Sequence, residues 1–379
     1  MGLAHLLALH SLSDIGSVRL AALLDYFDGN AEAAWLNPDE WPAALQGLIS
    51  AAALQGLRAE QRQVDVMALY ERFLRSDAKV VTRPEPHYPK LLASIKDAPY
   101  LLFYRGQLPG DYDLCVAVIG SRRASSYGRE AARFLADGLA KAGVWVVAGL
   151  ARGVDSAAHR SAIDAGGKTI GVLGCGIDIV YPRENRPLFA EMAEKGCIIS
   201  EYPLGMQPLS KNFPIRNRVV SGLSQGVIVV EAGLKSGTQI TVNYALEQGR
   251  NIYAVPGSIF SPSSMGTHSL IQRSGVKLVT SAADVLEDFQ PGRQYGTPGG
   301  LAAMAAPPVQ QTMLFNMPPG LNSEEERLWQ ALAEQRHFNE LLGLLNMEAA
   351  ELGALLTGCE LDGWLERLDG QYFIRKNII

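Results

Sequence analysis

Apolar residues recur along the chain in distinct rhythms, and each rhythm predicts a different element. In residues 1–75 the spacing of Leu20, Leu23, Leu24 and Phe27 puts them on one face of a helix. From residue 115 the pattern changes to short unbroken Val/Ile-rich runs: CVAVIG, VWVVAG, TIGVLG, CIISEY, VIVVEA, NIYAVPG and VKLV. Strands buried on both faces of a parallel sheet read this way. Between the runs lie amphipathic stretches such as REAARFLADGLAKAG, with Ala131, Leu135 and Leu139 on one face. The alternation predicts an α/β fold, a doubly wound Rossmann-like parallel sheet of about seven strands.

The segment VVTRPEPHYPKLLASIKDAPYLLFYRG precedes this pattern, and its prolines suit crossing chain and edge strands. Residues 290–320 hold six prolines, five glycines and one charged side chain, the composition of a linker. Beyond it, SEEERLWQALAEQ, two short helical stretches and a two-stranded wing around Asp369-Gly370 predict a winged helix. The expected domains are therefore 1–80, helical and SAM/helix–hairpin–helix-like; 81–289, the Rossmann-like domain; 290–320, the linker; and 321–379, the winged helix. In the first, LSDIGSVRLAALLDYF has only Gly16 where such hairpins usually carry two glycines. A plain helical packing domain fits it better.

Composition narrows the class. At 379 residues, 47% hydrophobic and 19% charged, the chain can bury a large core, which excludes general disorder. Cys115, Cys175, Cys197 and Cys359 are scattered without a CxxC pair, so buried thiols are expected and no metal site. MGLAHLLALHSL has no basic start or cleavage pattern, Leu6 stands where a myristoylation signal needs Ser or Thr, and no apolar run approaches the roughly 18 residues of a membrane span. A cytoplasmic protein without membrane contact is expected. The net charge of −5 hides an asymmetry: residues 1–80 carry 6 basic and 10 acidic side chains, 321–379 carry 5 and 11, and 81–320 carry 23 and 18. A polyanion site must be focal and lie in the middle.

Doubly wound sheets bind ligands at the carboxyl ends of their strands. The first loop there, Gly120 to Gly128, offers Ser121, Arg122 and Arg123, groups that suit phosphate oxygens. It is neither a dinucleotide fingerprint nor a P-loop. A basic surface turn would read the same. The second loop presents Arg152 as its ligand-facing group, with Asp155 as a helix N-cap and His159 one turn on. That pair suits capping and packing better than acid–base or metal chemistry, since no third ligand is near. The third, GCGIDIVYPREN, brings Tyr181 and Arg183, which could reach a nucleotide or simply cover the edge.

The fourth loop offers Lys211, Phe213, Arg216, Asn217 and Arg218 without a carboxylate, the cations and ring that single strands need. Arg216 and Arg218 stand about 200° apart on a helix and cannot both face one ligand. One should hold phosphate and the other pair with Glu201 or Glu231. In the fifth, Ser236, Gly237 and Thr238 open a helix as an anion cradle.

GSRRASSYG, GLARGVDSAAHRSA, TIGVLGCGIDIVYPREN, ISEYPLG, FPIRNRVVSGLS, VIVVEAGLKSGTQIT and IYAVPG, in this order, resemble the DprA/Smf family (DNA-processing protein A). The resemblance implies a homodimer that binds single-stranded DNA during natural transformation and loads a RecA-type recombinase onto it. It implies a DNA pocket at Ser121, Arg122, Lys211, Phe213, Arg216, Asn217 and Arg218, beside Ser236, Gly237 and Thr238. No cofactor, metal or catalytic residue is implied. The acidic C-terminal unit departs from what a DNA-reading winged helix needs and suits a protein-contact or regulatory role.

The competing reading is a nucleotide-processing Rossmann enzyme related to phosphoribohydrolases, which use PGGxGTxxE. Here the stretch reads LKSGTQIT, with Thr241 at the glutamate's place, and a hydroxyl is no general base at neutral pH. A dinucleotide oxidoreductase lacks its glycine fingerprint here, and a pure scaffold has no need of phosphate-friendly loops along one edge.

Overall fold

The computed structural model describes residues 2–234, 236–273, 275–289, 321–332, 336–368 and 372–375. The chain divides into two compact units, Met1–Ala303 and Met304–Ile379. The expected linker, 290–320, and the wing tip at Asp369-Gly370 lie outside the described residues.

The first unit is built on a nine-stranded sheet. Its strands are β1 (Lys79–Thr82), β2 (Leu101–Gly106), β3 (Cys115–Gly120), β4 (Trp145–Ala148), β5 (Thr169–Val172), β6 (Cys197–Ser200), β7 (Gly226–Glu231), β8 (Asn251–Ala254) and β9 (Val276–Leu278). The spatial order is β1-β2-β6-β5-β4-β3-β7-β8-β9. β3 to β9 all pair in parallel and correspond to the apolar runs, whose buried patterns leave no solvent face on the central strands. The proline-rich segment adds β1 and β2 antiparallel at one edge.

From β3 the chain winds outward through β4, β5 and β6, then returns to place β7 on the other side of β3. The β3–β7 seam is therefore the topological switch point, where loops diverge and a crevice opens. The register slips at Ile119/Gly120 there, and the Ser121 N–H donates to Glu231 O at 2.8 Å across the seam.

Helices cover both faces. Asn212–Gly222 and Thr238–Glu247 pack on one face through Val219, Val220, Val242 and Ala245. Ser126–Lys141 and Val154–Asp164 pack on the other. Leu135 and Leu139 of Ser126–Lys141 are buried as expected, with Ala132 and Ala136 beside them, while Ala131 is only partly covered at the edge of the same cluster.

The N-terminal helices share a core with this second face: Leu9, Leu20, Leu23, Trp35 and Trp41 pack in one cluster with Phe103, Leu188 and Ile198. Gly16 N-caps helix Ser17–Tyr26 at φ −80° rather than making a left-handed hairpin turn. All four cysteines are buried and free. Among the described residues no helix is long and apolar enough to cross a membrane.

The second unit has helices Ser323–Ala331, Phe338–Leu345 and Ala349–Leu361 and strands β10 (Arg336–His337), β11 (Leu365–Leu368) and β12 (Tyr372–Arg375), in the order β10-β12-β11. Leu328, Leu341, Leu352, Leu356 and Phe373 fill its core. Asn322 closes a capping box with Glu325 and starts the first helix.

Candidate nucleic-acid interface

A pocket of ≈ 530 Å³ opens at the switch point, lined in part by Ser121, Arg122, Arg123, Asn217, Ser236 and Thr238. Helices Val154–Asp164, Asn212–Gly222 and Thr238–Glu247 all start around it. The positive ends of their backbone dipoles favour an anion there, although Val154, Ser156, Thr238, Gln239 and Ile240 already give their N–H groups to loop oxygens.

Each loop is held by backbone bonding that the sequence disguises. Glu231, buried at the end of β7, accepts from the Ser125 N–H at 2.8 Å and from the Ser263 hydroxyl at 2.5 Å. It thus fixes the Ser121–Arg122–Arg123 turn, and among the described residues it pairs with no arginine. Ser125 then N-caps the following helix through the Gly128 N–H at 3.0 Å. In the fifth loop Ser236 Oγ lies 2.9 Å from Thr238 Oγ1 and accepts from the Thr238 N–H at 3.2 Å. Lys235 lies outside the described residues.

Asp155 is a correction. The N-cap is Gly153, at φ +80°, and Asp155 sits within the first turn. Its carboxylate reaches back to accept from the N–H groups of Gly149 at 2.9 Å and Ala151 at 3.3 Å, tying down the second loop. Burial raises its pKa, against Arg216 and these two bonds. His159 is fully buried: Thr169 donates its hydroxyl to Val146 O at 2.6 Å and so accepts the His159 Nδ1–H at 2.6 Å. Burial lowers the imidazole to about 3. The two side chains have separate partners, and each is a packing group.

The fourth loop splits its arginines as the helical spacing requires, though both are buried. Arg216, 3% exposed, lies in the pocket floor beneath Gly149 and donates to the Val172 carbonyl. A methyl at Gly149 would stand 2.6 Å from its Cζ. Among the described residues its Nε has no hydrogen-bond partner, and burial lowers its pKa, with Asp155 opposing.

Arg218 is corrected from a ligand group to a structural one. It forks onto Glu201 at 3.0 and 2.6 Å and meets Asp97 at 2.9 Å. Burial works against its charge, but these two carboxylates raise its pKa. Asp97, which sequence gave no reason to single out, comes from the segment before β2.

What faces solvent is a cation–ring stack. The Arg122 guanidinium lies over the Phe213 ring, 5.1 Å from its centroid, and Tyr181 meets the same ring at 5.4 Å. Phe213 rests on Gly174, where a Cβ would come within 2.9 Å of its Cδ1. Arg123 is exposed on the same turn, and among the described residues neither Arg122 nor Arg123 has an ion-pair partner. Lys211 is exposed at the N-cap of its helix, beside the pocket-lining Ser210. Arg152 stands on the neighbouring loop and is ion-paired with Glu184. Thr241 lines the pocket at the place where the competing reading needs a carboxylate.

Fold and site together define a Rossmann-like protein with a cationic, ring-walled pocket at its switch point and a winged helix at its C-terminal end. The family described as DNA recombination-mediator protein A matches residues 79–290, and the DprA winged helix domain matches residues 316–371. Protein Smf of Escherichia coli is 36% identical over 340 residues, 87% of this chain and 88% of that protein. The DNA processing protein DprA of Streptococcus pneumoniae is 47% identical over 203 residues, 54% of this chain and 71% of that protein. An X-ray structure of S. pneumoniae DprA superposes with a TM-score of 0.64, covering 75% of this chain and 97% of that one, at 36% identity. A Helicobacter pylori structure, reported for the single-stranded DNA binding mode of its DNA processing protein A, covers 56% of this chain and 95% of its own, with TM-score 0.50 and 30% identity. The chain belongs to the DprA/Smf family of DNA recombination mediators.

Proposed function

We propose that this protein binds single-stranded DNA in the switch-point pocket and hands it to a RecA-type recombinase during natural transformation. It acts in the cytoplasm, as a homodimer and without catalysing a reaction. The observation that carries the reading is the pairing of unneutralised cations with a ring on one rim. Arg122 and Arg123 meet phosphate, while Phe213 and Tyr181 offer faces for bases. Helix N-termini and the buried Arg216 add positive potential from below. The H. pylori relative, whose structure is reported for single-stranded DNA binding, supports the same choice of ligand. Loading of a recombinase is what membership of a recombination-mediator family would add.

Titrating labelled oligo-dT and duplex of equal length tests the reading. Single strands should bind more tightly, because stacking needs exposed bases, and affinity should fall steeply with salt. Equal duplex affinity or indifference to salt would count against it. Incubation with nucleoside monophosphates, ATP or DNA and a divalent metal should release no base, phosphate or nicked strand.

A further inference from the structure

The second loop holds an arginine that the pocket does not use. Arg152 projects from Gly149–Gly153, and its Nε donates to Glu184, with side chains 66% and 50% exposed. This pairing is built in. Asn185, next to Glu184 and buried, donates its side-chain amide to Leu150 O and Ser156 Oγ, both at 2.9 Å, clamping the two loops together. Leu150 is held at φ +53°, a conformation costly for a bulky side chain, and Gly153 at φ +80°. The Asn185 bonds tie the two loops together, and Arg152 and Glu184 meet at the tip.

A second, narrower cavity of ≈ 60 Å³ lies beside them, lined by Ala151, Arg152, Tyr181, Arg122 and Phe213. Arg122, Tyr181 and Phe213 also line the main pocket, so the cation–ring stack is a wall between the two. A strand held by one phosphate in the main pocket, with a base on that wall, would carry its adjoining phosphate toward Arg152.

We propose that Arg152 is a second phosphate subsite for the DNA strand and that Glu184 occupies it in the free protein as a carboxylate competitor. The inference rests on the single-strand reading of the main pocket. A carboxylate and a phosphate diester are both anionic acceptors for one guanidinium fork, so they exclude each other. An exposed ion pair is weak, so a strand already anchored next door can displace it at a cost of a few-fold in affinity.

The test is a double-mutant cycle on the full chain: Arg152→Gln, Glu184→Gln and the double variant, with oligo-dT affinity read by fluorescence anisotropy. Arg152→Gln should weaken binding about fivefold and Glu184→Gln should tighten it about fivefold. The double variant should match Arg152→Gln alone. A gain from Glu184→Gln that persists without Arg152 would be long-range charge only and would overturn the proposal, as would no gain at all. Arg122→Gln serves as the control. If it weakens binding more than about tenfold while the cycle is flat, the subsite alone is wrong; if it too is silent, the pocket reading fails.

Discussion

Replacing Arg122 by Gln isolates the group on which the DNA-binding reading depends most. The side chain is exposed, has no carboxylate partner among the described residues, and touches the fold through the Phe213 ring at 5.1 Å. Stability should therefore move by no more than about 0.5 kcal/mol. Binding should move far more. A charge-assisted bond to phosphate is worth about 1.5–3 kcal/mol, which is roughly 10- to 150-fold in affinity. The salt dependence carries an independent signature: one phosphate contact fewer should flatten the slope of log K against log salt by about 0.7. Arg122→Lys should restore the slope but only part of the affinity, because an ammonium keeps the charge and loses the planar stack on Phe213. Anisotropy titrations of labelled oligo-dT at several salt concentrations, beside thermal melts, read all three. A well-folded Arg122→Gln protein with unchanged affinity and slope would refute the reasoning.

Arg218→Gln should behave in the opposite way. Removing it strands the buried Glu201, costing about 3–5 kcal/mol and lowering Tm by roughly 6–20 °C in thermal denaturation. Gly149→Ala would drive a methyl into Arg216, so weaker DNA binding should accompany a stability loss of about 1–3 kcal/mol. His159 favours its neutral form when folded, at about 3 against 6.5, so its contribution to stability is complete above pH 6.5 and declines toward pH 3. At pH 5 the loss is about 2 kcal/mol, and His159→Asn should flatten that part of the pH–stability curve. Deleting residues 321–379, with 5 basic and 11 acidic side chains, should leave oligo-dT affinity nearly unchanged in the same titration.

Much of this molecule is legible along its sequence, because burial on both faces of a parallel sheet forces continuous Val/Ile runs. β3 to β9 follow from that pattern, and so does the crevice, since the exits of β3, β4, β5 and β7 each contribute a glycine- or arginine-bearing loop to one edge. Local chemistry also separates Arg216 from Arg218, as helical spacing puts them on different faces. What it leaves undecided is which of several charged partners meets which. Arg218 takes Glu201 and also Asp97, 121 positions away, while Glu231 spends its carboxylate on the backbone of Ser125. Arg152 reads as a free cation until the fold brings Glu184 to it from 32 residues on. Secondary structure and the identity of the ligand-facing edge are written in short-range periodicity and turn chemistry, which a neighbour in sequence can satisfy. Whether a given charge stays free for a phosphate depends on carboxylates that arrive only when distant segments pack, and that is decided by tertiary structure alone.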